Sequence, residues 1–401
     1  MSFTNNLKKM LGQNIREYGM YIALFIIMAI FTITTNGIFI SSRNISNLIN
    51  QTGYIAVLAV GMTFVIVIRH IDLSVGFLSG FLGALAAIAM ADPNVIAKGL
   101  GLPVLVVIPM VLGLGILAGL LTGFLVAQVG IPAFVATLAG WLGYRGALQL
   151  VTAGTGTIII SNSTFNALSN GYIPDITGLS FFPEIHKLTL ILGGVAIVLF
   201  IYSAINDRRK KQAYNFEVLP MNMFILKLVF ISLITAGITW IMAGYNGLSL
   251  TVVIVLVVVI IYDFIASRTV LGRHIYAVGG NPEAAQLSGI NVKRITYMVF
   301  GSMGMLSGLS GIMYASRFKS ATTTAGTLME LDAIAACFIG GVSPAGGIGK
   351  VTGSVVGALV MGSLSSGMNL MGIDISLQYI VKALVLVAAV VFDVVTRNRA
   401  K

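Results

Sequence analysis

Five ionisable side chains stand inside or beside long apolar runs: Asp72, Arg145, Glu330, Asp332 and Lys382. Groups of this kind at membrane depth are costly, which makes each a candidate for lining a polar path through a bilayer. Asp72 ends one apolar run and begins the next. It either caps a helix over 73–90 by accepting its first backbone N–H groups, or joins Ser74 along the path and accepts from a ligand hydroxyl. Thr327 and Glu330 match the S/T-x-x-E capping box, and Asp332 lies one residue beyond its reach. Arg145 stands about six residues, or about 9 Å, from the outer end of its run, so it is expected to face the bundle interior or snorkel outward. Lys382 is expected to snorkel from the last run. Trp141, Tyr144, Phe318 and Tyr379 suit an interfacial aromatic belt, with stacking on a ligand's C–H surface as the alternative.

Catalytic constellations are missing from the pattern. The nearest approach to a phosphate-binding loop is Gly346-Gly347-Ile348-Gly349-Lys350-Val351. Pro344 stands where the first motif glycine belongs, and Val351 replaces the required Ser or Thr. There is no GxSxG or HExxH. The single cysteine, Cys337, allows neither a disulfide nor a cysteine-based metal site within one chain. His70, His186 and His274 lack ligand spacing. No catalytic residue, metal or cofactor is expected.

The elements that must position these groups are membrane spans. Of 401 residues, 57% are hydrophobic and 9% charged, against about 25% charged in soluble domains. Mean hydropathy is +0.98. So few charges could not cover a water-soluble surface. Apolar runs near 19–37, 54–70, 72–91, 103–128, 132–151, 187–205, 223–243, 248–266, 295–315, 331–348, 349–371 and 377–395 are candidate spans; the third and tenth are the weakest. The run from Tyr21 has no small-x-small site after it and should stay as the first span. The net charge of +11 gathers beside the runs, at Lys8, Lys9 and Arg16, at Arg208–Lys211, at Arg268, Arg273, Lys293 and Arg294, and at Arg397, Arg399 and Lys401. With the N-terminus inside, all of these fall inside, as the positive-inside rule asks; losing one weak span would break the agreement. No basic patch interleaves with aromatics, so nucleic-acid binding is not expected.

The fold class expected is all-α, a polytopic transmembrane bundle of about 10–12 spans with broken or re-entrant segments. Residues 1–205 and 223–401 read as two transmembrane halves joined by a cytoplasmic linker at 206–222, where Pro220 precedes the next run. Residues 152–186, rich in Thr, Ser, Asn and Gly with Pro174 and Pro183, should face outside. Glycines at helix-packing spacing (Gly115/Gly119/Gly123, Gly76/Gly80, Gly304/Gly308, Gly353/Gly357) predict close helix contacts, with a narrow pore as the alternative.

The polar loop 267–294 should face the cytoplasm and carry a short helix. Asn281 suits the N-cap, Pro282 the first helical position, Glu283 the positive end of the dipole and Gly289 the position past the C-cap. About two turns do not persist alone in water, so the helix must pack on its own bundle or on a partner.

That loop, Gly272-Arg273-His274-Ile275-Tyr276-Ala277-Val278-Gly279-Gly280-Asn281-Pro282-Glu283-Ala284-Ala285-Gln286-Leu287-Ser288-Gly289-Ile290, resembles the coupling loop of ATP-binding-cassette importer permeases of the ribose/xylose/galactose class. Leu58–Met62 with Ile71–Gly76, Pro132–Gly140 with Tyr144–Gly146, and Glu330–Gly341 resemble the same family, so the likeness runs over nearly the whole chain. The apolar stretch around 187–245 resembles the xylose and multiple-sugar branch, as do Ile15–Met20 and His70–Ser74. The resemblance implies a multi-pass plasma (inner) membrane protein with cytoplasmic termini, built into a pump with a second permease copy (a homodimer), an ATPase subunit and an extracytoplasmic sugar-binding protein. It implies that Arg273, Asn281, Pro282, Glu283, Ala284, Ala285, Ser288 and Gly289 contact the ATPase, which supplies ATP hydrolysis. A proton-coupled secondary transporter is the rival reading, with Asp72 or Asp332 as relay.

Overall fold

The computed structural model describes residues 15–94, 96, 98–176, 185–216, 218 and 220–399. Lys8, Lys9, Pro183 and Lys401 lie outside them. The helices follow the apolar runs: α1 Ile15–Thr34, α2 Ser42–Val67, α3 Val75–Met90, α4 Val104–Phe124, α5 Ala133–Thr152, α6 Ser163–Asn170, α7 Lys187–Ala213, α8 Met221–Ala243, α9 Leu250–Arg268, α10 Val270–Gly280, α11 Pro282–Leu287, α12 Val292–Phe318, α13 Met329–Ile339, α14 Val351–Leu370 and α15 Ile375–Arg399. The expected all-α bundle forms, and one small antiparallel ribbon is added to it. Its strands β1, Thr157–Ile159, and β2, Ser320–Thr322, pair Ile158 with Ala321.

The described residues fall into two compact units. One is built on 40–47 and 172–249, the other on 16–39, 48–171 and 250 onward. In the first, α7 and α8 run antiparallel, with Gly193 against Thr239 at one end and the Arg208 guanidinium 4.8 Å from the Phe224 ring centroid at the other. The stretch 206–222 lies inside this unit, and its first part is the last turns of α7. At the start of α7, Asp175 accepts from Leu188 N at 2.9 Å, which holds its carboxyl below the usual range.

The second unit is organised around α2 and α12, whose apolar windows are 83% and 72% buried. Lipid gives little hydrophobic drive for helix association, so close backbone approach matters more. The Gly115/Gly119/Gly123 stripe of α4 lies on Gly304, Phe300 and Tyr297 of α12, and Gly308 faces the Val111 carbonyl. A Cβ at Gly119 would run into the Phe300 carbonyl. Gly353 and Gly357 of α14 pack in the same way on Gly340 and Ala336. The expected glycine faces are helix contacts.

Contacts distinguish two ends of this unit. At one, Gly347 N donates to Val67 O at 2.8 Å and Lys293 Nζ to Gln128 Oε1 at 3.4 Å. At the other lie the β1–β2 ribbon and the Asn170 Nδ2 bond to Ser316 O, 2.7 Å long. The two weak candidate spans are the short helices between these ends. At about 1.5 Å per residue, α3 is about 24 Å long and α13 about 16 Å, less than the about 30 Å of a hydrocarbon core. Gly83 of α3 meets Gly311 and Ala315 of α12, so α3 starts opposite the middle of α12. Non-helical chain of turns and bends completes each crossing, through residues 68–74 before α3 and 340–350 after α13.

Candidate functional site

The N-termini of α3 and α13 meet at mid-depth. Gly76 packs against Glu330 and the Gly326 carbonyl, and Gly80 against the Ala325 carbonyl. Each helix start leaves unpaired N–H groups and a partial positive charge, and two carboxylates stand beside them. Asp72 is buried; its Oδ1 accepts from Ser74 N at 2.9 Å and Ser74 Oγ at 2.6 Å. This bond fixes the turn before α3 and leaves the first turn of the helix uncapped by a side chain. The helix cap expected of Asp72 therefore does not form: Ser74, two residues later, holds the N-cap position, and Asp72 braces the turn before it.

Glu330 is also buried, and its Oε1 accepts from Trp141 Nε1 of α5 at 2.9 Å, while its Oε2 has no hydrogen-bond partner among the described residues. The capping box expected of Thr327 and Glu330 does not form. Leu328, at φ 62° in the left-handed region, precedes α13, and Thr327 Oγ1 turns back to Thr324 O at 2.7 Å. A left-handed residue between the two partners aims them apart. Trp141 extends the cluster: the Arg145 guanidinium lies 5.5 Å from its ring centroid and 5.7 Å from that of Phe77. Arg145 is exposed, and cation–π contacts hold its guanidinium on these two rings. Thr137 Oγ1, from the same helix, donates to Ile71 O at 3.4 Å.

Asp72, Ser74, Arg145 and Glu330 are accordingly brought to one junction. Asp332 is not part of it. Its carboxylate takes Lys382 Nζ at 3.0 Å on both oxygens, so Lys382 is an ion-pair partner in the protein rather than a snorkelling residue. Neither Trp141 as the partner of Glu330 nor Lys382 as that of Asp332 was expected. Nothing local signals pairs 189 and 50 residues apart.

The second candidate region is the loop between α9 and α12. Asn281 Oδ1 accepts from Ala284 N at 3.1 Å, and Pro282 opens α11. Gly289 takes φ +85°. The bonds Ile290 N to Ala285 O and Gly289 N to Gln286 O, both 3.0 Å, close the helix. Ala285 is buried on the bundle, whereas Leu287 is 90% exposed. Glu283, Ala284, Ser288, Gly289 and Arg273 are exposed as well. Leu287 is the apolar member of this face that the charge and cap pattern passes over.

This loop is tied to both non-helical crossings. Arg69, at φ 67°, donates through Nε to Gly279 O at 2.6 Å and through Nη2 to Gly280 O. Tyr276 donates its hydroxyl to Gly349 O at 2.7 Å, and burial pushes that hydroxyl above its usual range, which keeps it a donor. The glycine-rich stretch at 346–349 is therefore occupied in holding Val67 and Tyr276. Among the described residues no group of three His, Cys, Asp or Glu is placed to hold a metal.

A bundle of apolar helices broken at mid-depth, with a capped helix presented at one end, defines a polytopic membrane permease. The chain belongs to the family described as "Branched-chain amino acid transport system / permease component", which matches residues 44–390. It is 39% identical over 393 residues to a xylose transport system permease protein of Haemophilus influenzae, covering 98% of this chain and 99% of that one. The corresponding xylose protein of Escherichia coli K12 is 38% identical over 387 residues, 96% of this chain and 94% of its own. A ribose import permease protein of H. influenzae is 36% identical over 383 residues, 96% and 94%. No solved structure matches.

Proposed function

We propose that this chain is the transmembrane subunit of an ATP-binding-cassette importer that carries a monosaccharide, xylose first, into the cytoplasm. The ATPase and an extracytoplasmic sugar-binding protein are separate chains, and a second permease copy completes the pore. The protein lies in the plasma (inner) membrane with α11 and both termini on the cytoplasmic side. Residues 1–205 and 223–401 act as the two transmembrane halves. The xylose relatives, alike over almost all of both chains, support the sugar.

The observation that carries the reading is the exposed face of α11 on a loop bonded to both broken crossings. An ATPase groove that seats Leu287 and its neighbours moves α11. Arg69, three residues before Asp72, passes that movement to the start of α3. Tyr276 passes it to the chain between α13 and α14. The junction at Asp72, Ser74, Arg145 and Glu330 then turns as a unit toward one side or the other. Carboxylates and an indole suit a ligand that offers uncharged hydroxyls.

The test is purification of tagged permease from membranes, followed by ATPase assay of the eluate. An ATP-binding subunit should co-elute, and its activity should rise with xylose-loaded binding protein. Permease that elutes alone, yet drives sugar uptake in proteoliposomes under a proton gradient, would overturn the reading in favour of a secondary transporter.

A further inference from the structure

Beside the broken crossings, the second unit contains a cavity of about 380 Å³ lined by α2, α12, α13, α14 and α15. Its volume lies within the about 300–1,000 Å³ of small-molecule sites. We propose that this cavity is a monosaccharide-binding stage on the import path within one protomer, distinct from the helix junction. The proposal rests on the importer reading and adds where, in this chain, the sugar stops.

The lining suits a ring that carries hydroxyls on one face and C–H groups on the other. Asp332 and Lys382 form the polar wall. Their side chains keep 26% and 18% of their surface exposed while paired at 3.0 Å, so each can share its remaining hydrogen-bonding capacity with a ligand. Paired, they present a donor set and an acceptor set with no net charge, which matches a neutral polyol. Thr52 is 4% exposed, and its Oγ1 has no hydrogen-bond partner among the described residues. An unmade bond at a buried hydroxyl is costly unless something else supplies the partner. Ser365 and Asn369 add polar groups from α14. Tyr54, held edge-on to Tyr314 at 5.2 Å between centroids, supplies an aromatic wall.

The cavity also lies on the route. Phe318 at the end of α12 and Asn369 near the end of α14 border it, and Asp332 stands one turn into α13. It therefore leads from the ribbon end of the unit toward the depth at which α13 begins. An amino-acid zwitterion would have to break the Asp332–Lys382 pair and find a separate partner for each charge. A sugar can bind without breaking it.

The experiment uses the native chain's single cysteine, Cys337, which is fully buried. A Ser365→Cys variant of the full-length permease in proteoliposomes is labelled with a polar methanethiosulfonate reagent, with and without D-xylose. Saturating xylose should slow labelling about tenfold, the loss expected when a bound ligand covers the sulfur nine-tenths of the time. Leucine should give no protection. A Met361→Trp variant, which fills the cavity, should lose uptake in cells while retaining co-purification of the ATPase. Labelling indifferent to xylose in a variant that still imports xylose would overturn the cavity and leave the importer reading standing. Protection by leucine in place of xylose, with no sugar uptake by the wild-type permease, would overturn both.

Discussion

The helix junction and the coupling loop are held by opposite means. At the junction, α3 meets the Gly326–Glu330 stretch with no room between backbones, and Glu330 bonds Trp141 across 189 residues of sequence. The coupling helix is stabilised by its own two ends, through Asn281 and Gly289, and touches the bundle mainly through Ala285. The difference separates two roles. A region packed to backbone contact moves as a unit or not at all. A short capped helix with an open apolar face keeps its shape and waits for a partner. Force applied at the second reaches the first only through the few bonds between them, of which Arg69 makes two.

The strongest way to break this contrast is to put a side chain into each region. Gly80→Leu should prevent folding, because even its Cβ would collide with the Ala325 carbonyl, and relief requires the α3 and β2–α13 segments to part. Overpacking of this kind costs about 1–3 kcal/mol where side chains can yield and more against backbone. Size-exclusion profiles of extracted protein should show loss of the monodisperse peak. Leu287→Asp, by contrast, should leave folding untouched, since Leu287 is 90% exposed. It should still weaken ATPase binding by about 2 kcal/mol, the size of a central interface anchor, or about thirtyfold. Equal co-purification of the ATPase with Leu287→Asp and wild type would remove α11 from the interface.

Arg69→Ala tests the link between the regions. It removes both bonds to the Gly279–Gly280 carbonyls, each worth about 1.5–3 kcal/mol when the donor is charged. The ATPase should still bind, because the α11 face is unchanged, but sugar uptake per ATP hydrolysed should fall about tenfold or more. Uptake and hydrolysis that fall together would mean that Arg69 supports folding or assembly rather than transmission.

The same contrast explains what could be read from the sequence. Caps are local: an Asn, a Pro, a Glu and a Gly at fixed offsets define α11 whatever surrounds them, and the observed helix ends within one residue of that pattern. The apolar runs likewise fix the spans, because about twenty residues of one composition have few alternatives in a bilayer. The junction has no such signature. The Thr327–Glu330 spacing pointed to a capping box, but Leu328 adopts φ 62° between them and Trp141 takes the carboxylate instead. Lys382 looked like a residue near a helix end until the fold set Asp332 beside it. Composition identified the right residues as unusual in each case; only the long-range packing could name their partners.

The smallest expected effect sharpens the comparison most, because it asks how much of the shape of α11 is its own. Asn281→Ala removes the acceptor for Ala284 N, and loss of such a cap typically costs about 1 kcal/mol. If the cap is what holds α11 in the free permease, its loss lets α11 unwind before binding, and ATPase affinity would drop about fivefold, because binding must then re-form the helix. If Ala285 and the Gly289 turn suffice to hold it, affinity would be unchanged and only the free protein's amide exchange at 282–288 would quicken. We expect the first result. An isolated helix of this length does not persist in water, and Ala285 is the one α11 side chain buried on the bundle among the described residues. The cap therefore carries most of the local order. Titration of the ATPase against Asn281→Ala, beside hydrogen exchange of the same variant, separates the two outcomes.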